Sequence, residues 1–259
     1  MLYVHKENMR SKIDNNYKNK GRIIEDFYQN EYLAMRSKID VLTFDESHLD
    51  SFTEAADEFT DYYKKIERFS SANGISSQSK FASSFLEEIS CYLFKDLPEI
   101  RNGVFGVFNK GIYAGLKIDR NRRIAVIKKD VDFCIGKKVS ITIDGQPSTE
   151  LILPIVAVEV KTYLDATMFG EIKSSSKSIR SASPNSKAYV LMGYKSIADE
   201  HIISARQDAT LTEMFSLCAD EHMSFNTVVL REYWEEIKDA VSSISEYDSV
   251  PISGKLLNP

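Results

Sequence analysis

The chain has 259 residues, of which 43% are hydrophobic and 11% aromatic, a composition that is ordinary for a globular protein. The three cysteines, Cys91, Cys134 and Cys218, are widely spaced and form no CxxC motif, so the sequence indicates neither a disulfide framework nor a zinc site. No apolar run approaches the roughly 18 residues that a membrane-spanning helix needs, and residues 1–20 are too polar for a signal peptide. We therefore expect a cytoplasmic protein without a membrane anchor.

The formal net charge of −5 conceals a segregation of charge along the chain. Residues 101–187 contain 15 Lys and Arg against 8 Asp and Glu, a net charge of +7, and the remainder contains 18 against 30, a net charge of −12. Because a polyanion responds to the local field rather than to the average charge, the basic middle of this acidic chain can bind a phosphate backbone. A solvated basic surface without a partner explains the same count.

Residues 1–78 are predicted to form an N-terminal helical region. Apolar residues recur at spacings of three and four in residues 22–39 and 49–69, which is the pattern of amphipathic helices. A loop rich in Ser, Asn and Gly follows at residues 70–79 and ends this region.

Residues 79–259 are predicted to form a core with C-terminal helical elements. A helix at residues 80–94 precedes short β-branched and aromatic runs, punctuated by Gly, Asn, Asp and Pro, between residues 102 and 163. Helices are then expected at residues 166–181, 206–222 and 231–244, and strands at residues 187–194 and 226–230. The predicted fold class is α/β, with a central mixed β-sheet flanked by helices and preceded by the helical region.

One predicted strand, ILPIVAVEVKTYLD at residues 152–165, carries two opposite charges at the end of an apolar run. Because side chains alternate along a strand, Glu159 and Lys161 lie on the same face. A turn at residues 144–147 predicts that this strand returns antiparallel to the preceding one. If residue 143 pairs with residue 151, Asp132 falls opposite residue 162, beside Lys161.

Two carboxylates and a lysine at one sheet edge suit metal-assisted phosphodiester hydrolysis. Mg²⁺ prefers oxygen ligands, which Asp132, Glu159 and the carbonyl of Val160 would provide. The ion polarises the scissile phosphate and lowers the pKa of bound water. Lys161 would orient the attacking water or neutralise the charge that develops on the phosphorane oxygens.

The arrangement of Val131-Asp132 and Glu159-Val160-Lys161 resembles the PD-(D/E)XK signature of the nuclease superfamily that includes most type II restriction endonucleases. Val131 stands where the name of the signature has proline. The runs EVKTYLD and KAYVLMGY look like the restriction enzymes that cut interrupted CTNAG-type sequences, some of which work as pairs of unlike subunits. This resemblance implies sequence-specific, Mg²⁺-dependent hydrolysis of double-stranded DNA in the bacterial cytoplasm. Cutting both strands implies a homodimer, or a heterodimer with a related subunit.

The resemblance also implies that a glutamate of the first core helix reaches the metal site. At 100° per residue, Glu88 falls inside the apolar stripe of residues 80–94 and Glu87 falls outside it. A carboxylate on a buried face is costly unless it is paired or bound to a metal. Glu88 is therefore the predicted fourth active-site residue, with Glu87 as the alternative, and a marginal position beside a lysine is the competing explanation.

Two basic clusters are predicted to bind DNA. Lys173, Lys177 and Arg180 lie at i, i+4 and i+7 on one face of the helix at residues 166–181, where small serines would let a phosphate backbone approach. Arg122 and Arg123 lie in a turn from which they could reach a groove edge or a phosphate. A solvated basic face is the alternative for the cations of the helix.

Two other functions are compatible with these motifs. A repair or recombination nuclease on the same core would act on DNA structure or damage, and a DNA-binding module without catalysis would keep only the fold. A binding module has no need for all of Asp132, Glu159 and Lys161, so the complete set favours a nuclease.

Overall fold

The structure, a computed structural model, describes residues 2–143, 145, 147–208 and 210–244. Two residues of the predicted turn, Asp144 and Gln146, and residues 245–259 lie outside the described part. The helices are α1 (Val4–Asp14), α2 (Gly21–Phe27), α3 (Leu33–Asp40), α4 (Leu49–Ala72), α5 (Ser83–Leu93), α6 (Pro98–Arg101), α7 (Ala166–Ala182), α8 (Asp199–Asp208) and α9 (Thr227–Ser242). Within these ranges, no helix has both the length and the apolarity to cross a membrane.

The strands form one mixed sheet. They are β1 (Gly106–Phe108), β2 (Ile112–Ile118), β3 (Ile124–Lys129), β4 (Phe133–Ile141), β5 (Thr149–Leu164), β6 (Lys187–Lys195) and β7 (Glu213–Ser216). The order β1-β4-β5-β2-β3 is extended by β6, which pairs with the C-terminal half of β5, and by β7, which pairs with β6. The β4–β5 and β2–β3 pairs are antiparallel, and β5, β6 and β7 run parallel to one another. The predicted α/β class, with a mixed sheet flanked by helices, is confirmed.

The two faces of β5 pack against different layers. Val156, Val158 and Val160 point into the largest hydrophobic cluster, which also contains the N-terminal helices and α5. Ala157 points to the opposite face, where Ile179 of α7 covers it. Burial on both faces explains why β5 is a nearly continuous apolar run until the charged residues near its end.

The N-terminal helices and α5 share this largest cluster. Phe59 and Tyr62 of α4 lie against Phe85 of α5 as edge-to-face aromatic pairs, an arrangement that adds to their burial energy. His5 of α1 forms a 2.9 Å hydrogen bond with Ser84 of α5. The division at residue 78 stays a prediction about chain organisation, and the hydrophobic core continues across it.

Two of the C-terminal assignments were wrong. The segment 206–222, predicted as a helix, contains the end of α8 and then strand β7, which pairs with β6. The segment 226–230, predicted as a strand, begins α9 instead. The Asn226 side chain caps that helix by accepting hydrogen bonds from the amides of Val228 and Val229, and this cap outweighs the strand preference of the β-branched residues.

Candidate active site

Asp132, Glu159 and Lys161 lie together at one end of the β4–β5 pair. Lys161 Nζ is 3.2 Å from Asp132 Oδ2 and 3.4 Å from Glu159 Oε2, so the ammonium group bridges the two carboxylates. Asp132 Oδ2 also accepts a hydrogen bond of 2.7 Å from the backbone amide of Val160. The three side chains are between 18% and 30% exposed, so they are partly shielded from water and still reachable.

The register of β4 and β5 differs from the predicted one. The strands pair Phe133 with Val158, which places Asp132 level with Glu159 instead of residue 162. Asp132 therefore shares the face of Glu159 and Lys161, the relationship that the predicted register left undecided.

The register already differs from the predicted one by four residues next to the turn, where Ile141 pairs with Thr149, and a β-bulge then reduces the difference by one residue. That one residue puts Asp132 on the face of Glu159 and Lys161. The pairing shifts by one residue between Ile135 and Gly136, where Pro154 of β5 lies opposite Gly136. Proline has no amide hydrogen for the ladder, so a bulge is one of the few places where a paired strand accepts it. A Cβ atom on Gly136 would lie 2.5 Å from the carbonyl oxygen of Leu153, so only glycine fits this close approach.

Negative charge accumulates at this end of the sheet. Burial, and then the neighbouring charge of Asp132, raises the pKa of Glu159 to about 7, although Lys161 opposes the rise. Burial alone would lower the pKa of Lys161, but Asp132 and Glu159 raise it above its ordinary value. The lysine therefore stays protonated at neutral pH.

A cavity of about 200 Å³ opens beside these residues, and Glu87 of α5 lines it together with Asp132, Val160 and Lys161. Burial, and then the charge of Asp132, raises the pKa of Glu87 to about 7. Lys80 and Ser83 also line the cavity and were not predicted. Ser83 is four residues before Glu87 on α5, so helical spacing counted back from Glu87 would have identified it. Lys80 lies before the helix in a left-handed conformation, so helical spacing would not have identified it.

The structure does not bring Glu88 to this cavity. Glu88 is fully buried, as the apolar stripe predicted, but it points toward the N-terminal helices. Its carboxylate accepts hydrogen bonds from the hydroxyls of Tyr32 and Tyr92 and from the backbone amide of Lys6. These donors satisfy the buried charge without a metal, and Glu87 is the glutamate of α5 that faces the site.

The predicted cations of α7 lie apart from this cavity. Ile172 and Ile179 are the buried face of the helix, and Lys177 is exposed on another face. The Lys173 ammonium lies 5.5 Å from the centre of the Phe169 ring. Asp165 caps the start of α7 by accepting a hydrogen bond from the amide of Met168, so the helix begins directly after the strand that carries Lys161.

Arg122 and Arg123 lie in the turn between β2 and β3 and are exposed. The Asp119 carboxylate organises this turn, because it accepts hydrogen bonds from the amides of Asn121 and Arg123. The predicted placement of the two arginines in a turn is confirmed, and their contact with DNA stays a prediction.

Comparisons with known proteins identify the family and the fold of the chain. A family model described as Bpu10I restriction endonuclease matches residues 78–242, which is more than half of the chain. A solved structure described as the native BbvCI A2B2 tetramer at low resolution has the same fold, with a TM-score of 0.69. That likeness covers 92% of this chain and 95% of the BbvCI chain at 17% sequence identity. A search of curated proteins found no match.

The family match includes Asp132, Glu159 and Lys161 as well as α5, the helix that carries Glu87. The chain therefore belongs to the Bpu10I restriction endonuclease family and is a sequence-specific type II restriction endonuclease.

Proposed function

We propose that this endonuclease hydrolyses double-stranded DNA with Mg²⁺ at the cluster of Asp132, Glu159 and Lys161. The observation that carries the proposal is the meeting of two carboxylates and a protonated lysine at the end of β5, with the donor–acceptor distances given above. The cluster opens into a cavity instead of being sealed in the core, so a phosphate can reach it.

The donor set at this end of the sheet suits a hard divalent cation. Asp132 and Glu159 supply carboxylate oxygens, and Glu87 adds a third carboxylate in the cavity that Asp132 also lines. In an extended strand, the amide and the carbonyl of one residue point to the same side. Since the Val160 amide points to Asp132, we infer that its carbonyl faces the cluster too. These are the oxygen ligands that Mg²⁺ takes in proteins.

Burial, and then the charge of Asp132, raises the pKa of both Glu159 and Glu87, so three carboxyl groups share this partly buried end of the sheet. Among the described residues, no group of three or more His, Cys, Asp or Glu side chains is already arranged to hold a metal ion. The Lys161 ammonium lies between Asp132 and Glu159, so we expect it to move aside when a cation binds. A bound Mg²⁺ would supply Lewis-acid activation of the scissile phosphate and of the attacking water.

Lys161 is suited to stabilise charge rather than to accept a proton. Its pKa is raised by Asp132 and Glu159, so it carries a proton throughout the neutral range. A protonated amine beside the reacting phosphate donates hydrogen bonds to oxygens that become more negative in the transition state. Glu87 lies near it, on the helix side of the cavity.

Lys173, Lys177 and Arg180 of α7 are proposed to neutralise phosphates of the duplex. They lie in the segment of the sequence that carries a net charge of +7, and α7 begins at Ala166, five residues after Lys161. Phosphate contacts of this kind hold the duplex in place and carry no sequence information themselves.

The proposed assembly contains two chains, because the described part of each chain has one such cluster and a duplex has two strands to cut. The BbvCI structure is described as an A2B2 tetramer, which contains two kinds of subunit. We therefore propose either a homodimer or a heterodimer with a related subunit. The protein would act in the bacterial cytoplasm, where foreign DNA enters.

A plasmid-cleavage assay with and without Mg²⁺ tests the proposal. Wild-type protein is expected to give discrete fragments with Mg²⁺ and none with EDTA, whereas Lys161→Ala should bind DNA and leave it intact. Lys64→Ala, a change on the surface of α4, is the matched control and should cut normally. Cleavage by Lys161→Ala at the wild-type rate would show that the cluster is not the active site.

A further inference from the structure

The β2–β3 ribbon, residues 112–129, stands away from the rest of the sheet. Its strands pair antiparallel from Ile112 with Lys129 to Ile118 with Ile124. Within the described part of the chain, β2 contacts β5 as a strand partner only at Ile112, and β3 pairs only with β2. The half of the ribbon nearer its turn therefore has no neighbouring strand on either side.

A bulge marks the place where the ribbon changes from buried to exposed. Ala114, the extra residue of β2, is buried with Ile112 in the cluster under α7. Gly115 follows with a φ of +134°, a conformation that residues with side chains rarely adopt. Bulges bend a strand and increase its twist, so the distal half leaves the sheet at this point.

The exposed half carries an apolar strip that nothing in the described chain covers. Leu116 pairs with Val126 and Ile118 with Ile124, and two pairs spaced by two residues share one face of the ribbon. Ile118 is 75% exposed and Leu116 is 53% exposed. Isolated apolar residues on a surface need no explanation, but two adjacent cross-strand pairs indicate a binding surface.

Charge indicates what this surface binds. The ribbon carries six cations against the single carboxylate of Asp119, a net charge of +5; the cations are Lys117, Arg120, Arg122, Arg123, Lys128 and Lys129. A twofold contact with a second copy would place two such ribbons against each other and would be opposed by their repulsion. A nucleic acid offers the opposite charge.

The ribbon is also within reach of the cleavage site. Lys129 ends β3 and Asp132 follows three residues later, so their Cα atoms are at most about 11 Å apart. Strand β3 extends from this base for six residues, or about 20 Å. That length corresponds to about six base pairs of duplex, so the ribbon could lie along a recognition site that begins near the scissile phosphate.

We propose that the β2–β3 ribbon enters the major groove and reads bases of the recognition site. This inference rests on the proposed function, because it places the duplex at Asp132. The major groove admits a two-stranded ribbon, arginine donates a bidentate pair of hydrogen bonds to guanine, and apolar side chains contact the thymine methyl group. Arg122 and Arg123 are the polar readers at the turn, and Ile118 with Ile124 is the apolar reader.

The test compares the sites that variants of the native nuclease cleave in a random-sequence DNA library. The ribbon variants are Arg122→Ala, Arg123→Ala and Ile118→Ser. The controls are Arg22→Ala, an exposed arginine of α2, and Val41→Ser, an apolar residue that is 78% exposed after α3. Each ribbon variant should lose roughly 10- to 100-fold in preference for one base pair of the site, the usual effect of a lost base contact. The controls should cleave the wild-type sites.

Two results would overturn the inference. One is that all three ribbon variants cleave the wild-type sites with unchanged preference, whether or not their overall affinity falls. The other is that they change the mass of the assembly in analytical ultracentrifugation and leave base preference intact, which would make the ribbon a subunit contact. Activity in Lys161→Ala would instead contradict the proposed active site, so the two failures are distinguishable.

Discussion

The carboxylate of Asp132 and the backbone amide of Val160 are joined by a 2.7 Å hydrogen bond, which ties the residue before β4 to the charged end of β5. This bond fixes one oxygen of Asp132, and Lys161 contacts the same oxygen. The strand pairing and the cluster of charges therefore depend on one side chain. A substitution that keeps the bond but removes the charge can separate these two roles.

Asp132→Asn is that substitution. Asparagine keeps a carbonyl oxygen that can accept the hydrogen bond from Val160, so the melting temperature should change by no more than a few degrees. The lost negative charge should lower Mg²⁺ affinity at least tenfold in a calorimetric titration and abolish cleavage. Asp130→Asn is the control, because the Asp130 carboxylate lies outside the cluster and accepts a hydrogen bond from the amide of Gly111. Full cleavage by Asp132→Asn would contradict its proposed role as a metal ligand.

Glu87 and Glu88 are adjacent but should respond in opposite ways to replacement by glutamine. Glu87→Gln removes a charge from the cavity, so we expect slower cleavage and an unchanged free energy of unfolding. Both carboxylate oxygens of Glu88 accept hydrogen bonds, and Glu88→Gln replaces one of them by an NH2 group that cannot accept. One buried donor would lose its acceptor, which should cost about 1–3 kcal/mol of unfolding free energy. Chemical denaturation and cleavage rates measured on both variants would check this. Loss of cleavage at full stability in Glu88→Gln, with Glu87→Gln normal, would reverse the assignment.

The bulge opposite Pro154 gives a third prediction. Gly136→Ala would force a Cβ atom against the carbonyl oxygen of Leu153, so the strands should separate locally, with a loss of about 1–3 kcal/mol in stability. Because the bulge sets the position of Asp132, cleavage should fall by more than the stability loss explains.

Gly170→Ala in α7 is the matched control, because a Cβ atom there would meet no atom within 4 Å. Alanine is the better helix former, so this variant should be as stable as wild type or more stable by up to about 1 kcal/mol. Thermal denaturation and cleavage of both variants would be compared. Equal behaviour of the two alanine variants would show that the bulge does not determine the site.

Glu159 and Lys161 could be predicted from the sequence because strand alternation is a local property. The register that brings Asp132 to them could not, since it depends on the close contact between Gly136 and Leu153 on different strands. The sequence predicted that Asp132 and Lys161 were neighbours, but with a pairing that was wrong by several residues. A bulge leaves little trace in a hydrophobic pattern, and one residue of register exchanges the faces of a strand.

Glu88 shows the same limit on a helix. The apolar stripe correctly indicated that its side chain is buried. What the carboxylate meets there depends on Tyr32, which is 56 residues away in the chain. The resemblance to nucleases suggested a metal as the partner, whereas Tyr32 of the N-terminal region and Tyr92 of α5 itself provide hydroxyl donors. Likewise, the β-branched residues after Asn226 predicted a strand, but these residues form a helix because Asn226 caps α9 and the apolar face of α9 is buried.

Phosphate binding by α7 predicts a change in salt dependence. If Lys177 contacts one phosphate, Lys177→Gln should make the negative slope of log affinity against log salt concentration shallower by about 0.9 and weaken binding to all DNA sequences alike. Lys18→Gln, an exposed change in the N-terminal region, should leave the slope unchanged. Fluorescence anisotropy at several salt concentrations would measure both slopes. An unchanged slope in Lys177→Gln would exclude that residue from the DNA contact.

His5 should make the fold sensitive to acid. Its side chain is fully buried between Ser84 and Tyr62, with a hydrogen bond of 2.9 Å to each hydroxyl. Burial, and then the charge of Lys12, lowers the pKa of His5 to about 3. In the unfolded chain the histidine titrates near its ordinary pKa of about 6.5. Between these values the unfolded state binds one more proton than the folded state.

The free energy of unfolding should therefore fall as the pH is lowered from about 6.5 toward 3, by up to about 1.4 kcal/mol for each pH unit from this residue. Above about pH 6.5 the histidine is neutral in both states and contributes no pH dependence. His5→Asn should be less stable than wild type at pH 7, because asparagine does not replace both hydrogen bonds. The difference in unfolding free energy between wild type and this variant should shrink as the pH falls, since only the wild type loses stability through His5. Urea denaturation at several pH values would measure this difference, with His48→Asn, an exposed histidine, as the control. A difference that stayed constant from pH 7 to pH 4 would show that His5 does not exchange a proton on unfolding.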